Sequence, residues 1–269
     1  MAAAAWRTRA THNFNNRFAL FRSTIIIARS LLFNVLFYLN LIVHMIVALP
    51  TLLLPYPILR EFIRSYGVTS LWLLRVISGI KVEWRGLENI PKSSCIIACK
   101  HQSLWETFAL YAVLRDPIYI LKRELMMIPL FGWYTWKARL IPVDRSAGLS
   151  ALTKMTARAR HELDRGCQLV IFPEGTRRPP GAEPIYKPGI AFLYSQTGVP
   201  CVPIALNSGL FWPRRSLRRR PGTILVEVLP PIPPGLDRKV FFARLQNVIE
   251  EATAKLIQES GQESGTGSH

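Results

Sequence analysis

The chain has 269 residues, with 34 Lys+Arg against 17 Asp+Glu and a formal net charge of +17. That length accommodates one large α/β domain with an added segment. The charge implies anionic partners (phosphorylated substrates, anionic lipid surfaces or nucleic acid) and does not by itself choose among them. The four cysteines, Cys95, Cys99, Cys167 and Cys201, form no CxxC pair and have no His-x3-His partner. This argues against a zinc site and against a disulfide framework, and they read as small buried residues.

Between Ser30 and Leu59 there is no Asp, Glu, Lys or Arg. The centre of this run, LLFNVLFYLNLIVHMIVALP from Leu31 to Pro50, reaches the roughly 20 apolar residues that a helix needs to cross a bilayer. It is too long for the core of a cleaved signal peptide, and no convincing small-x-small site precedes Pro50. Arg7, Arg9, Arg17, Arg22 and Arg29 lie before it with no acidic residue among them. The positive-inside tendency keeps that end cytoplasmic. Pro50, Pro55 and Pro57 break the helix. A second segment, Leu59 to Ile80, carries Arg60, Glu61, Arg64 and Arg75 and reads as amphipathic and interfacial. Asn34, Asn40 and His44 are costly against lipid unless they face a partner helix; His44 reads as a packing or interfacial residue. Residues 1–80 are therefore expected to form a basic segment and a two-helix element that dips into one leaflet and returns. A single spanning helix is the alternative.

From about residue 80 the pattern changes. IKVEWRG alternates like a half-buried strand, and the short apolar runs from Ser94 to Lys100 and from Ile118 to Arg123 fit buried strands. Ser150 to Gly166 is helical with Gly166 as its stop, and CQLVIFPEG follows as strand and loop. Gly189 to Gly198 fits a helix, VPCVPIAL and TILVEVLPPI are strands, and the stretch from Arg238 closes the domain as an amphipathic helix. The expected fold is α/β: a mixed, largely parallel sheet flanked by helices over residues 81–258. The Gly/Ser-rich tail, 259–269, is expected to be disordered.

Two stretches carry chemistry. In His101-Gln-Ser-Leu-Trp-Glu106 a histidine precedes a helix start and a carboxylate follows five positions on. Read as structure, Ser103 to Glu106 is a capping box and His101 a loop residue. Read as chemistry, a turn ending at Ser103 curls His101 back over the first helical turn. A carboxylate on one imidazole nitrogen then leaves the other to take a proton. The spacing alone is a weak signal. In VIFPEGTRR, an apolar strand delivers a tight turn bearing Glu174, Gly175, Thr176 and Arg177. Gly175 permits close backbone approach, and the fork of Arg177 suits a phosphate; a solvated strand-end arginine is the other reading. Leu210 to Gly222 carries five arginines beside Phe211 and Trp212, and reads either as a membrane or acyl-donor contact or as a solvated basic loop.

Taken in order, KHQSLWET, LKRELMMIPLFGW continuing through ARLIPVDR, FPEGTRR and VPCVPIAL resemble the four motifs of the PlsC-type glycerolipid acyltransferases, over roughly residues 80 to 210. The N-terminal apolar pair is also similar to that family's membrane motif. The resemblance implies transfer of a fatty acyl group from acyl-CoA or acyl carrier protein to the free hydroxyl of a lysophospholipid, giving phosphatidate. It implies His101 as general base, Glu106 as its orienting carboxylate, and Lys122, Arg123 and Arg177 as phosphate contacts. Glu174, Gly175 and Thr176 then shape the acceptor site, and Pro203 sets the strand near it. Two positions depart from the family pattern: Glu106 stands where Asp is commoner, and Lys100 where Asn is also common. Direct attack by the acceptor hydroxyl suffices because the thioester is already activated. Ser103 is better explained as a helix cap and Cys99 as strand interior than as acyl carriers.

Acyl thioesters are cytosolic, so the catalytic domain and the basic N-terminus are expected on one side, with the site at the cytoplasmic face of the membrane. The expected partners are the acyl donor, the lysophospholipid and an anionic membrane surface, with no cofactor, metal or nucleic acid. The runner-up is the same chemistry on another acceptor, such as a lyso-aminolipid. A non-catalytic basic membrane- or nucleic-acid-binding protein is the remote alternative.

Overall fold

The structure, a computed structural model, describes residues 2–144 and 148–266. Its centre is a seven-stranded sheet made of β1 (Ile80–Arg85), β2 (Cys95–Cys99), β3 (Pro117–Lys122), β4 (Ile141–Val143), β5 (Gln168–Ile171), β6 (Cys201–Leu206) and β7 (Gly222–Val228), in the order β1-β7-β6-β2-β5-β3-β4. Every pairing is parallel except β6 with β7. The mixed, largely parallel sheet expected from the sequence is therefore present. All residues of β2 and β6 are buried, as their unbroken apolar runs require of strands covered on both faces.

The strand period of two divides β2 between two cores. Cys95, Ile97 and Cys99 pack with Leu74 of α2 (Tyr56–Ser78), with Phe108 of α3 (Glu106–Val113), and with Phe33 and Phe37 of α1 (Ala2–Val47). Ile96 and Ala98 join the opposite layer, with Leu163 of α5 (Gly148–Asp164), Leu193 of α6 (Gly189–Thr197) and Phe241 and Leu245 of α7 (Arg238–Thr266). A short α4 (Phe131–Lys137) precedes β4. The chain leaves β2 through α3 and passes over β5 to reach β3. It leaves β5 through α6 and passes over β2 to reach β6. The two crossovers depart in opposite directions, which opens a crevice beyond the carboxyl ends of β2 and β5.

The N-terminal helical pair is present, but the basic segment is not separate from it: α1 is continuous from Ala2. A 3-10 turn over Leu49–Leu52, containing Pro50, and Pro55 before α2 reverse the chain. The polar residues of the apolar run all find partners. Asn40 donates to Thr69 and Ser70 of α2 at 3.2 and 3.1 Å. The His44 Nδ1 lies 2.9 Å from the Asn40 carbonyl, and its ring packs edge-on against Tyr66. Asn34 departs from the expectation of a partner helix. It donates to the Leu217 carbonyl at 2.8 Å and accepts from Arg219 at 2.6 Å, so it is met by a loop of the α/β domain.

That loop also corrects the reading of its aromatics as interface residues. Trp212 is buried against Phe33, Phe37 and Phe108, and Phe211 packs on the same core, because the loop returns beneath α1. Arg219 is buried too, stacked on Trp212 at 4.2 Å, and burial pushes its pKa down to about 10. Arg214, Arg215, Arg218 and Arg220 remain exposed.

The tail differs from expectation as well. α7 runs on to Thr266, beyond the boundary drawn at 258. Its later turns are held by the buried Leu256, by Ser260 against Asn207 at 2.6 Å, and by Glu259 against Arg85 at 2.8 Å. That tertiary anchoring overrides the low propensity of glycine. Residues 267–269, the end of that expected tail, and Arg145, the last residue of the second motif block, lie outside the described residues.

Substituting Asn34→Leu removes the only side-chain acceptor of the Arg219 guanidinium among the described residues. It should destabilise the protein by roughly 1–3 kcal/mol, the cost of leaving a buried donor unsatisfied. Urea unfolding of the detergent-solubilised protein measures this.

Candidate active site

Four chain segments meet in the crevice. β2 and β5 pair in register through Ala98↔Ile171, so the Lys100–Ser103 turn and the Phe172–Arg178 turn emerge side by side. The two turns are bonded to each other at both backbone groups of His101. The His101 N–H donates to Glu174 at 2.9 Å, and the His101 carbonyl accepts from the Arg178 N–H at 2.9 Å. The imidazole lies flat on the Phe172 ring, centroids 3.9 Å apart and 16° between planes. β6, the other neighbour of β2, supplies Ser208 just beyond its end, and β3 supplies Lys122.

Glu106 is fully buried at the start of α3. Its carboxylate accepts from the Gln102 N–H at 3.1 Å, from the Ser103 N–H at 3.0 Å and from the Ser208 hydroxyl at 2.5 Å. The reach back to Ser103 is the Glu half of the expected capping box. The other half is shifted, since the Ser103 hydroxyl accepts from the Trp105 N–H at 2.9 Å and the helix proper begins three residues later. Burial alone would raise the Glu106 carboxyl. The His101 imidazole, the Ser208 hydroxyl and the backbone donors outweigh it and hold the group below the ordinary glutamate range. The His101 Nδ1 lies 3.7 Å from Glu106 Oε2. This is an ion-pair distance, longer than a hydrogen bond, and catalytic contacts often tighten only when substrate arrives. With Nδ1 on the Glu106 side, Nε2 is the nitrogen left for a substrate proton.

His101 lines a cavity of about 660 Å3 that runs between the α/β domain and the helical pair. Its apolar wall includes Phe37, Leu59, Phe62, Ile63, Phe108 and Tyr134; Lys122 and Arg177 are its cationic members. Arg177 is half-buried, burial lowers its pKa, and among the described residues its guanidinium makes no ion pair or hydrogen bond. It faces the same space as the histidine and feels the Glu106 carboxylate only at a distance.

The other expected site residues fall differently. Arg123 is absent from the cavity wall and lies 3.3 Å from Asp144. Lys122 lines the cavity with its ammonium 2.8 Å from the exposed Glu124. Thr176 is exposed, and Gly175 sits at φ +66 in the turn, where a side chain would be strained. Pro203 is buried in β6 opposite Ala98. Glu174 points away from the cavity: its carboxylate is buried between the His101 N–H and the Lys100 ammonium. Burial raises its pKa, an effect that Lys100 and the His101 N–H oppose.

Sequence reasoning passed over Ser208 and Phe172. Ser208 stands 102 positions from Glu106, and no local pattern links them. Phe172 opens a motif already singled out, and its place one residue past a strand paired with β2 was the available signal. Cys99 is wholly buried, and burial pushes its thiol well above the ordinary range; Ser103 is buried as well. Neither lines the cavity, which weighs against an acyl-enzyme.

Residues 81–207 match the family model described as Acyltransferase. A 1-acyl-sn-glycerol-3-phosphate acyltransferase from Pseudomonas aeruginosa is 40% identical over 171 residues, 64% of this chain and 66% of that protein. The enzyme of the same name from Cocos nucifera is 33% identical over 186 residues, 67% of this chain and 59% of that one. The alpha enzyme of Homo sapiens is 32% identical over 176 residues, 64% and 62% of the two chains. The chain thus spans about two thirds or less of the length of these curated relatives. Among solved structures, the 1-acyl-sn-glycerophosphate (LPA) acyltransferase PlsC of Thermotoga maritima superposes with a TM-score of 0.71 at 24% identity, covering 85% of this chain and 96% of that one, and so shares the fold. The matched region spans the strands and turns that build the crevice, and over it the chain is similar to the acyltransferase family.

Proposed function

We propose that the protein is a membrane-bound 1-acyl-sn-glycerol-3-phosphate acyltransferase. It moves a fatty acyl group from acyl-CoA or acyl carrier protein to the 2-hydroxyl of lysophosphatidate. The observation that carries this reading is one cavity shared by a histidine backed by a buried carboxylate, an unpaired guanidinium and a long apolar wall. The acceptor hydroxyl attacks the thioester carbonyl while His101 Nε2 takes its proton. Glu106 stabilises the imidazolium that forms. Collapse of the tetrahedral adduct breaks the C–S bond, and the proton passes from His101 to the departing thiolate. Arg177, with Lys122, holds the phosphate of the acceptor, and the apolar wall takes an acyl chain.

The helical pair supports membrane attachment in one leaflet. Leu31, Leu32, Val35, Leu39, Ile42 and Ile46 of α1 are exposed, as are Val68, Trp72 and Val76 of α2. A contiguous apolar surface of this kind marks a lipid or partner contact. α1 is bonded to the α/β domain at Ser30 through Arg219 and at Met45 through Tyr134. The 15 residue steps between them cover ~22 Å of helix. A helix tied to one domain over that length is poorly placed to cross a bilayer with the domain on one side. On this reading the basic end and the site share the cytoplasmic face, where the thioester is found.

Three outcomes test the proposal. His101→Ala should lower kcat/KM for acyl transfer from oleoyl-CoA to lysophosphatidate by about 10²–10⁴-fold, the usual value of a general base, with the unfolding midpoint retained. Equal rates in the two proteins would sink the mechanism. Arg177→Ala should raise KM for lysophosphatidate about 10–100-fold, as loss of a charged hydrogen bond predicts, and leave KM for the donor unchanged. An unchanged acceptor KM would favour an acceptor without phosphate. In flotation assays the protein should stay on anionic vesicles in 1 M salt, roughly where the Debye length falls to 3 Å, because insertion is apolar. Release by salt would reduce attachment to a surface charge contact.

A further inference from the structure

Lys100 stands where Asn is also common in the family, and it is buried, on the opposite side of the sheet from the cavity. Its N–H extends the ladder of β2 one residue, to the Ile204 carbonyl at 2.9 Å. The alternation of the strand then sends its side chain to the α5–α7 layer, with Ile96 and Ala98. There the ammonium is 3.0 Å from Glu174 Oε1 and 2.6 Å from Glu250 Oε1 of α7, and the Tyr186 hydroxyl donates to that Glu250 oxygen at 2.9 Å. The second Glu174 oxygen accepts the His101 N–H. A continuous path of charge-assisted bonds thus joins the C-terminal helix to the backbone of the histidine.

We propose that Lys100 is a positioning residue for acyl transfer: held by Glu250, its ammonium keeps the Glu174 carboxylate ionised and fixed on the His101 N–H, which sets the pose of the imidazole toward Glu106. This rests on the acyl-transfer reading above. The physical reason is that two carboxylates share one cation. Without the lysine, a buried Glu174 faces Glu250 with nothing between them, and one carboxylate must take a proton or move away. Either change weakens the anchor of the turn from Lys100 to Ser103, whose far end must bring His101 Nδ1 closer to Glu106 than the present 3.7 Å. Lys100 does not line the cavity, so the effect should fall on turnover and spare binding.

The test is Lys100→Met, alone and with Glu174→Gln, purified in detergent and assayed with oleoyl-CoA and lysophosphatidate. The single variant should lose about ten-fold or more in kcat, the scale of sub-ångström misplacement of a reacting group, with KM for lysophosphatidate within about two-fold. The double variant should recover several-fold of that loss, since glutamine still accepts the His101 N–H and removes the repulsion with Glu250, which keeps its bond from Tyr186. A wild-type kcat in K100M, or a double variant no faster than the single, overturns the proposal. Hydrogen–deuterium exchange of the peptide covering residues 97–110 needs no substrate. It should speed up in K100M and return toward wild type in the double variant; unchanged exchange also overturns the proposal. If K100M does not fold, E250Q takes its place, with the same signs expected in kcat and exchange, and no change in either overturns it. Wild-type protein that fails to acylate lysophosphatidate counts against the proposed acceptor, while the exchange measurement still decides the role of Lys100.

Discussion

The parallel pairing of β2 with β5 is the constraint from which the rest of the site follows. Ala98 opposite Ile171 brings both strands to an end at the same level, so the turns that follow are neighbours before any side chain is considered. The stacking of His101 on Phe172, the bond from the His101 N–H to the Glu174 carboxylate and the backbone bond from Arg178 to His101 are consequences of that register. A slip of one residue would turn every side chain of β2 to the opposite face. It would place His101 in the α5–α7 layer and Lys100 in the cavity. The histidine is thus held at backbone level by a neighbouring strand, and Glu106 governs only its ring.

The site keeps several ionisable groups away from water, and each is stabilised by a different means. Glu106 is surrounded by donors from its own turn and from Ser208, which suits a carboxylate that must stay charged. Glu174 has one backbone donor and one lysine. Arg177 has no ion pair and no acceptor among the described residues, and it is the group left for a ligand to satisfy. This ordering separates groups whose needs are met inside the protein from one that the proposed acceptor would satisfy.

Much of this was legible in the chain. Unbroken apolar runs such as CIIAC mark strands buried on both faces, and the Ser103–Glu106 spacing marks a helix start with its back-reaching glutamate. What the sequence does not carry is which strand lies beside which. The His-acid motif and the Glu-Gly-Thr-Arg turn are some 70 positions apart, and only the crossover of the chain at β2 and β5 makes them one site. The same gap hides the partners of single residues. The sequence does not show that the Glu174 carboxylate faces Lys100, or that the turn after β3 carries Arg123 to Asp144. Phe211 and Trp212 beside five arginines resemble an interfacial belt, but the loop folds inward because α1 offers it Phe33 and Phe37.

Phe33 and Phe37 belong to the same core as Ile97 and Cys99 of the strand that carries the histidine. The first helix is therefore structural material for the α/β core as well as the carrier of an exposed apolar face. Trimming it away to obtain a water-soluble catalytic fragment would uncover Leu74, Phe108 and Trp212 and strip the guanidinium of Arg219 of its Asn34 acceptor. Solubility and an intact core are opposed in this chain, and any redesign toward a soluble form has to recolour the outer face of α1 while leaving its inner face in place.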